Sequence, residues 1–258
     1  MTERIPRRGI YLLPNLFTTA ALFFGFYAMI SAIGGHYESA AIGIFIAMIM
    51  DSLDGRIARL THTQTDFGAE YDSLADMVSF GLAPALLMYL WSLSALGRPG
   101  WLGAFIYTAC AALRLARFNT QIGKTDRAYF QGLPSPAAAA MLAALVWVCH
   151  DYGIDGKDWS LLVLLLTIVL GILMFSRVRY HSFKDLELKR RVPFLYVPAV
   201  VFAFVLISVD PAQILFALVL LYVISGPTLT LLELRRRRAS RRPREETLTK
   251  PADPENLP

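Results

Sequence analysis

Asp51 and Asp54 lie three positions apart, and Asp72 and Asp76 four apart, within the stretch DSLDGRIARLTHTQTDFGAEYDSLAD. On α-helices each pair occupies one face. Two such helices, antiparallel across a short connection, bring the four carboxylates together. Oxygen ligands of this kind suit one hard divalent cation or two. His62 is the nearest imidazole and stands outside both pairs, which favours Mg2+ or Mn2+ over zinc. Cations held in this way bridge phosphate oxygens and steady the entering and leaving oxygens of a displacement. Gly55, Ala58 and Gly68 stand between the pairs and leave room either for a ligand or for a neighbouring helix. Arg59 adds a planar donor matched to phosphate. The same four acids also suit a proton or cation pathway, and the spacing alone leaves that alternative open.

The segments that must position these acids are apolar. Of 258 residues 55% are hydrophobic and 17% charged, where a soluble domain carries about a quarter charged, and the mean hydropathy is +0.48. A membrane-spanning helix needs about 20 mostly apolar residues. Eight segments qualify, at about Leu16–Ile33, Ser39–Leu60, Ser73–Leu93, Trp101–Phe118, Leu133–His150, Trp159–Phe175, Phe194–Val209 and Pro211–Leu232. The expected fold is therefore an all-α polytopic membrane protein of about eight transmembrane helices. Counted from Ser39, Asp51 sits roughly 18 Å along its helix at ~1.5 Å per residue. An aspartate at the centre of a membrane helix costs about 2.5–3.5 kcal/mol on insertion scales, so the cluster demands a neutralising partner.

With the N-terminus placed inside, all 25 Lys and Arg residues except Arg98 and Lys157 fall in inside loops or tails. That asymmetry is the positive-inside signature, and it sets both termini on the cytoplasmic side. It also accounts for the net charge of +5 without nucleic acid as a partner. The chain divides into a basic N-terminal segment (1–14), a transmembrane catalytic region (15–232) and a basic tail (233–258). The tail's Arg, Pro, Glu and Thr content predicts disorder. Cys110 and Cys149 lie in apolar runs and form no disulfide framework.

The pattern D-x2-D-G-x2-A-R-x8-G-x3-D-x3-D, filled by Asp51, Asp54, Gly55, Ala58, Arg59, Gly68, Asp72 and Asp76, resembles the signature of the CDP-alcohol phosphatidyltransferase family. LPNLFTTAALFFGF, ALRLARFN, GLPSPAAAA and LMFSRVRYHSFKDL resemble its bacterial, serine-accepting branch. The resemblance implies a six-helix core, to which the two C-terminal spans are additional, and usually a homodimer. It implies two ions, Mg2+ or Mn2+, on Asp51, Asp54, Asp72 and Asp76, with Asp76 also the general base. The implied reaction transfers a phosphatidyl group from CDP-diacylglycerol to L-serine and releases CMP. Glycerol 3-phosphate, inositol and choline are the alternative acceptors. Asn15, Thr18, Gly55, Ala58, Arg59 and Gly68 are the expected contacts to the CDP-lipid. Arg114, Arg117, Asn119, Arg177, Arg179 and Lys184 are those expected for the acceptor. The implied home is a bacterial cytoplasmic (inner) membrane, among membrane lipids, with the active site on the cytoplasmic side.

Overall fold

Long apolar runs without interior breakers become helices, and in lipid a helix is the one open-ended form that satisfies its own backbone. The computed structural model describes residues 12–61, 63, 65–121, 129–176, 178–181 and 209–248. Its helices are α1 (Leu12–Ile33), α2 (Tyr37–Thr61), α3 (Asp66–Asp76), α4 (Ala83–Trp91), α5 (Arg98–Gln121), α6 (Ser135–Asp151), α7 (Ser160–Phe175) and α8 (Pro211–Leu248). A π-helical turn, Met77–Leu82, joins α3 to α4 into one continuous rod. Two three-residue strands, β1 (Tyr129–Gln131) and β2 (Arg179–His181), pair antiparallel with Phe130 opposite Tyr180.

The chain is membrane-embedded. Among the described residues, Leu13–Ile33, Asp66–Trp91, Gly156–Phe175 and Pro211–Thr230 are both long and apolar enough to cross a bilayer. The segments α2 and α5 are as long, but their aspartates and arginines lower their hydropathy, and α6 is a shorter apolar helix. The span expected at Phe194–Val209 lies outside the described residues except for its last position, so the described residues do not test the expected total of eight. The third helix begins at Asp66, not near Ser73. Thr65 caps it, its hydroxyl accepting from the Gly68 amide at 3.0 Å, which adds a polar first turn that hydropathy alone overlooks. Helix α8 continues through the arginine cluster to Leu248. Disorder beginning at residue 233 is therefore corrected for 233–248, where Arg, Glu, Ala and Leu are strong helix formers.

Helix α6 forms the axis of the bundle. Ala138, Ala139, Ala140, Ala143 and Ala144 are all buried, and small side chains allow neighbouring backbones to approach. Around them pack Ile44, Phe80, Leu87, Met88, Tyr107, Leu170 and Met174. The lipid-facing surface carries Phe23, Phe26, Phe105, Leu161 and Leu165. At one end, the buried Tyr180 of β2 fastens α8. Its hydroxyl donates to the Val223 carbonyl at 3.3 Å and its ring lies 5.6 Å from that of Tyr222. A side chain at Gly226 would strike the Tyr180 ring, so glycine permits this closeness.

Candidate metal and substrate site

The carboxylates of Asp51, Asp72 and Asp76 each present an oxygen, all within 4.8 Å of one another. Two elements do this: α2 carries Asp51, and α3 returns beside it after a short connection tightened by the Thr61–Thr63 hydroxyl contact of 2.7 Å. The Asp72 Oδ1 atom is buried and has no hydrogen-bond partner. An acceptor buried without a partner costs about 1–3 kcal/mol. Three converging carboxylates with one orphaned oxygen fit a divalent cation with oxygen ligands.

The fourth acid behaves differently. Asp54 is buried, and its Oδ2 accepts the Thr18 hydroxyl of α1 at 2.7 Å. Thr18 also lies 3.2 Å from the Pro14 carbonyl, but a hydroxyl has one proton and the shorter, charge-assisted contact takes it. Asp54 is thus turned toward α1 and stands outside the three-carboxylate group. Thr18, expected as a CDP-lipid contact, here anchors an acid.

Several other expected residues gather around this point. Asn15 Oδ1 and Thr65 Oγ1 would lie 3.4 Å and 3.1 Å from a side chain placed on Gly68, so the start of α1 abuts that of α3. Arg59 folds back along α2, its Nη1 being 3.5 Å from where a Gly55 side chain would begin. Ala58, half-buried between them, accepts the Thr63 amide through its carbonyl at 3.1 Å. Thr19 and Tyr71, neither foreseen, join α1 to α3 through their hydroxyls at 2.9 Å.

The acceptor candidates separate. Arg114 comes within electrostatic reach of Asp76. Its Nη1 donates to the Ser135 hydroxyl at 2.8 Å, while its buried Nε has no hydrogen-bond partner. Arg117 instead closes the end of α7, donating to the Phe175 carbonyl at 2.9 Å with its guanidinium 5.2 Å from the Phe175 ring centre. Asn119 donates to the Ser73 hydroxyl at 3.1 Å, tying α5 to the residue beside Asp72. Arg179 stands in β2 opposite Gln131; Arg177 and Lys184 lie outside the described residues. Ser135 was not foreseen as a site residue, although the stretch GLPSPAAAA contains it. Its type alone carries no signal.

The family model for CDP-alcohol phosphatidyltransferases matches residues 11–173, which include every carboxylate of the site. The chain belongs to the CDP-alcohol phosphatidyltransferase family. That family uses a divalent metal, and the three-carboxylate group supplies oxygen ligands for one. A CDP-diacylglycerol–serine O-phosphatidyltransferase of Helicobacter pylori strain 26695 is 35% identical over 222 residues, covering 86% of this chain and 92% of that protein. One of the same name from Methanocaldococcus jannaschii is 37% identical over 183 residues, covering 71% and 80%. Another from Bacillus subtilis strain 168 is 33% identical over 172 residues, covering 67% and 91%. Helix α8 lies beyond the family-model match, so the clasp formed by Tyr180 and Gly226 is an addition to the matched core.

Proposed function

We propose that this membrane enzyme transfers the phosphatidyl group of CDP-diacylglycerol to the hydroxyl of L-serine, giving phosphatidylserine and CMP. The observation that carries the reading is the meeting of Asp51, Asp72 and Asp76 from two membrane helices, in a chain whose relatives named for this reaction match most of its length. An apolar groove lined by Thr19, Leu22, Phe23, Phe26, Val78 and Leu82 begins one residue from Thr18 and suits the acyl part of a lipid substrate.

In this reading Asp51, Asp54, Asp72 and Asp76 hold two Mg2+ or Mn2+ ions, with Asp54 steadied by Thr18. When bound, the ions supply charge neutralisation for the diphosphate and the departing CMP. Asp76 accepts the proton of the serine hydroxyl, whose oxygen bonds to the lipid-side phosphorus. The bond from that phosphorus to the CMP oxygen breaks, and CMP leaves with the electron pair. A base within hydrogen-bond reach is needed because a neutral hydroxyl is a weak nucleophile. Arg114, buried beside Asp76 with an uncommitted Nε, receives the carboxylate of serine. Asn15, Gly55, Ala58, Arg59 and Gly68 form the nucleotide side. Asn119 supports α3, and Arg177, Arg179 and Lys184 are assigned to the acceptor. The enzyme works as a homodimer in a bacterial inner membrane, with its site and termini facing the cytoplasm.

The test uses purified protein in mixed micelles with CDP-diacylglycerol and Mg2+ or Mn2+. Each alcohol is offered in turn, and CMP release is followed with and without chelator. Serine-dependent, chelator-sensitive release supports the reading; release with inositol, choline or glycerol 3-phosphate but not serine overturns it.

A further inference from the structure

Asp76 is followed directly by the π-helical turn Met77–Leu82, and the sequence explains why the turn widens there. Pro84 has no amide hydrogen, and its ring crowds the carbonyl four residues back, which belongs to Phe80. Widening relieves the crowding, with the Ala83 amide donating five residues back to Val78. The Phe80 carbonyl then takes its hydrogen bond from another helix: the hydroxyl of Tyr107 on α5 donates to it at 3.1 Å, and Tyr107 is fully buried. One further hydroxyl holds the same turn: Ser79, within it, donates to the Ala21 carbonyl at 3.0 Å. A side chain at Gly25 would overlap Ser79, so α1 is pressed against this turn.

An extra residue in a helical turn rotates the part before it against the part after it by roughly 100°. The part after is locked in the core by Ala83, Leu87, Met88 and Trp91. The part before carries Asp72 and Asp76. Straight α-helical geometry through this point would turn both acids away from Asp51.

We infer that Tyr107 is a positioning residue for the carboxylate site: its bond to Phe80 holds the π-helical turn that aims Asp72 and Asp76 at Asp51. Tyr107, Ala111 and Arg114 recur at helical spacing on one face of α5, so one helix face aligns the acid-bearing rod at two heights. The inference rests on the proposal that these acids hold a divalent cation.

The experiment titrates Mn2+ into purified, metal-free protein in detergent and follows free Mn2+ by electron paramagnetic resonance, with no substrate present. Tyr107→Phe removes the hydroxyl and keeps the ring. It is expected to bind Mn2+ about three- to tenfold more weakly than the wild type, the size of one lost hydrogen bond. Val163→Ala, a core truncation on α7, lowers the melting temperature but leaves Mn2+ binding unchanged, which separates aim from general stability. Pro84→Ala restores an amide hydrogen at residue 84 and lets the segment close to α geometry; it too should bind Mn2+ more weakly. Should Tyr107→Phe fail to fold, Pro84→Ala decides alone. Unchanged Mn2+ affinity in the folded variants overturns the inference while leaving the metal site standing. Absence of Mn2+ binding in the wild type overturns both.

Discussion

Replacing Thr18 with valine isolates one interaction in the site. Valine nearly matches threonine in shape, so the contact between α1 and α2 keeps its packing, and only the hydroxyl donor to Asp54 Oδ2 is lost. Asp54 is 5% exposed, so water cannot readily replace that donor. A hydrogen bond to a charged group contributes about 1.5–3 kcal/mol, which corresponds to a factor of roughly 10 to 150. If Asp54 must point as it does for the enzyme to hold the CDP-lipid, that factor appears in kcat/KM for CDP-diacylglycerol at saturating serine. Initial rates of CMP release in mixed micelles measure it. Thr18→Ser keeps the hydroxyl and should stay within about threefold of wild type, provided its freer rotamer retains the 2.7 Å contact. A Thr18→Val enzyme with kcat/KM inside the same threefold range would refute the reasoning, because a buried acid would then have lost its donor without consequence.

Asp76→Asn should abolish turnover while CDP-lipid binding, measured by equilibrium retention, persists; near-normal rates would remove Asp76 from proton transfer. Arg117→Ala should cost about 1–2 kcal/mol of stability through the lost contact with the Phe175 carbonyl, read as a lower melting temperature in detergent. The KM for serine should stay within about twofold, and a large rise in KM instead would place Arg117 on the acceptor. Gly226→Ala should destabilise the protein by roughly 1–3 kcal/mol, because the methyl group overlaps the Tyr180 ring. An unchanged melting temperature would mean that α8 is held elsewhere.

The acid pairs were legible because local spacing determines helix faces: Asp51 and Asp54 on one helix and Asp72 and Asp76 on the next needed only a short connection to face each other. The hydrogen bond that orients Asp54 was not legible, since it depends on the approach of Thr18 from a helix more than thirty positions earlier. Arg117 carries the same lesson. Its charge and place at a helix end fit an anionic substrate, yet its geometry fits the open carbonyls of α7, and no local pattern distinguishes the two. The π-helical turn had a visible cause in Pro84. The reader of a sequence, however, sees only a breaker, because its repair by Tyr107 comes from another helix. At the C-terminus, composition suggested an unstructured tail, whereas the helix-forming tendency of the same arginines carries α8 onward to Leu248.

The two-stranded ribbon bears on how the protein is made. Tyr129–Gln131 precedes α6 and α7, and its partner Arg179–His181 follows them. Through backbone bonds from Gly132 to Val178 and from Leu133 to Leu173, the pairing orients the start of α6, where Ser135 meets Arg114. A chain growing from its N-terminus therefore places its acids in the bilayer before the strand that braces Arg114 has been synthesised. The pairing that orients the start of α6 is completed only once residues 179–181 have been synthesised, after both acid-bearing helices.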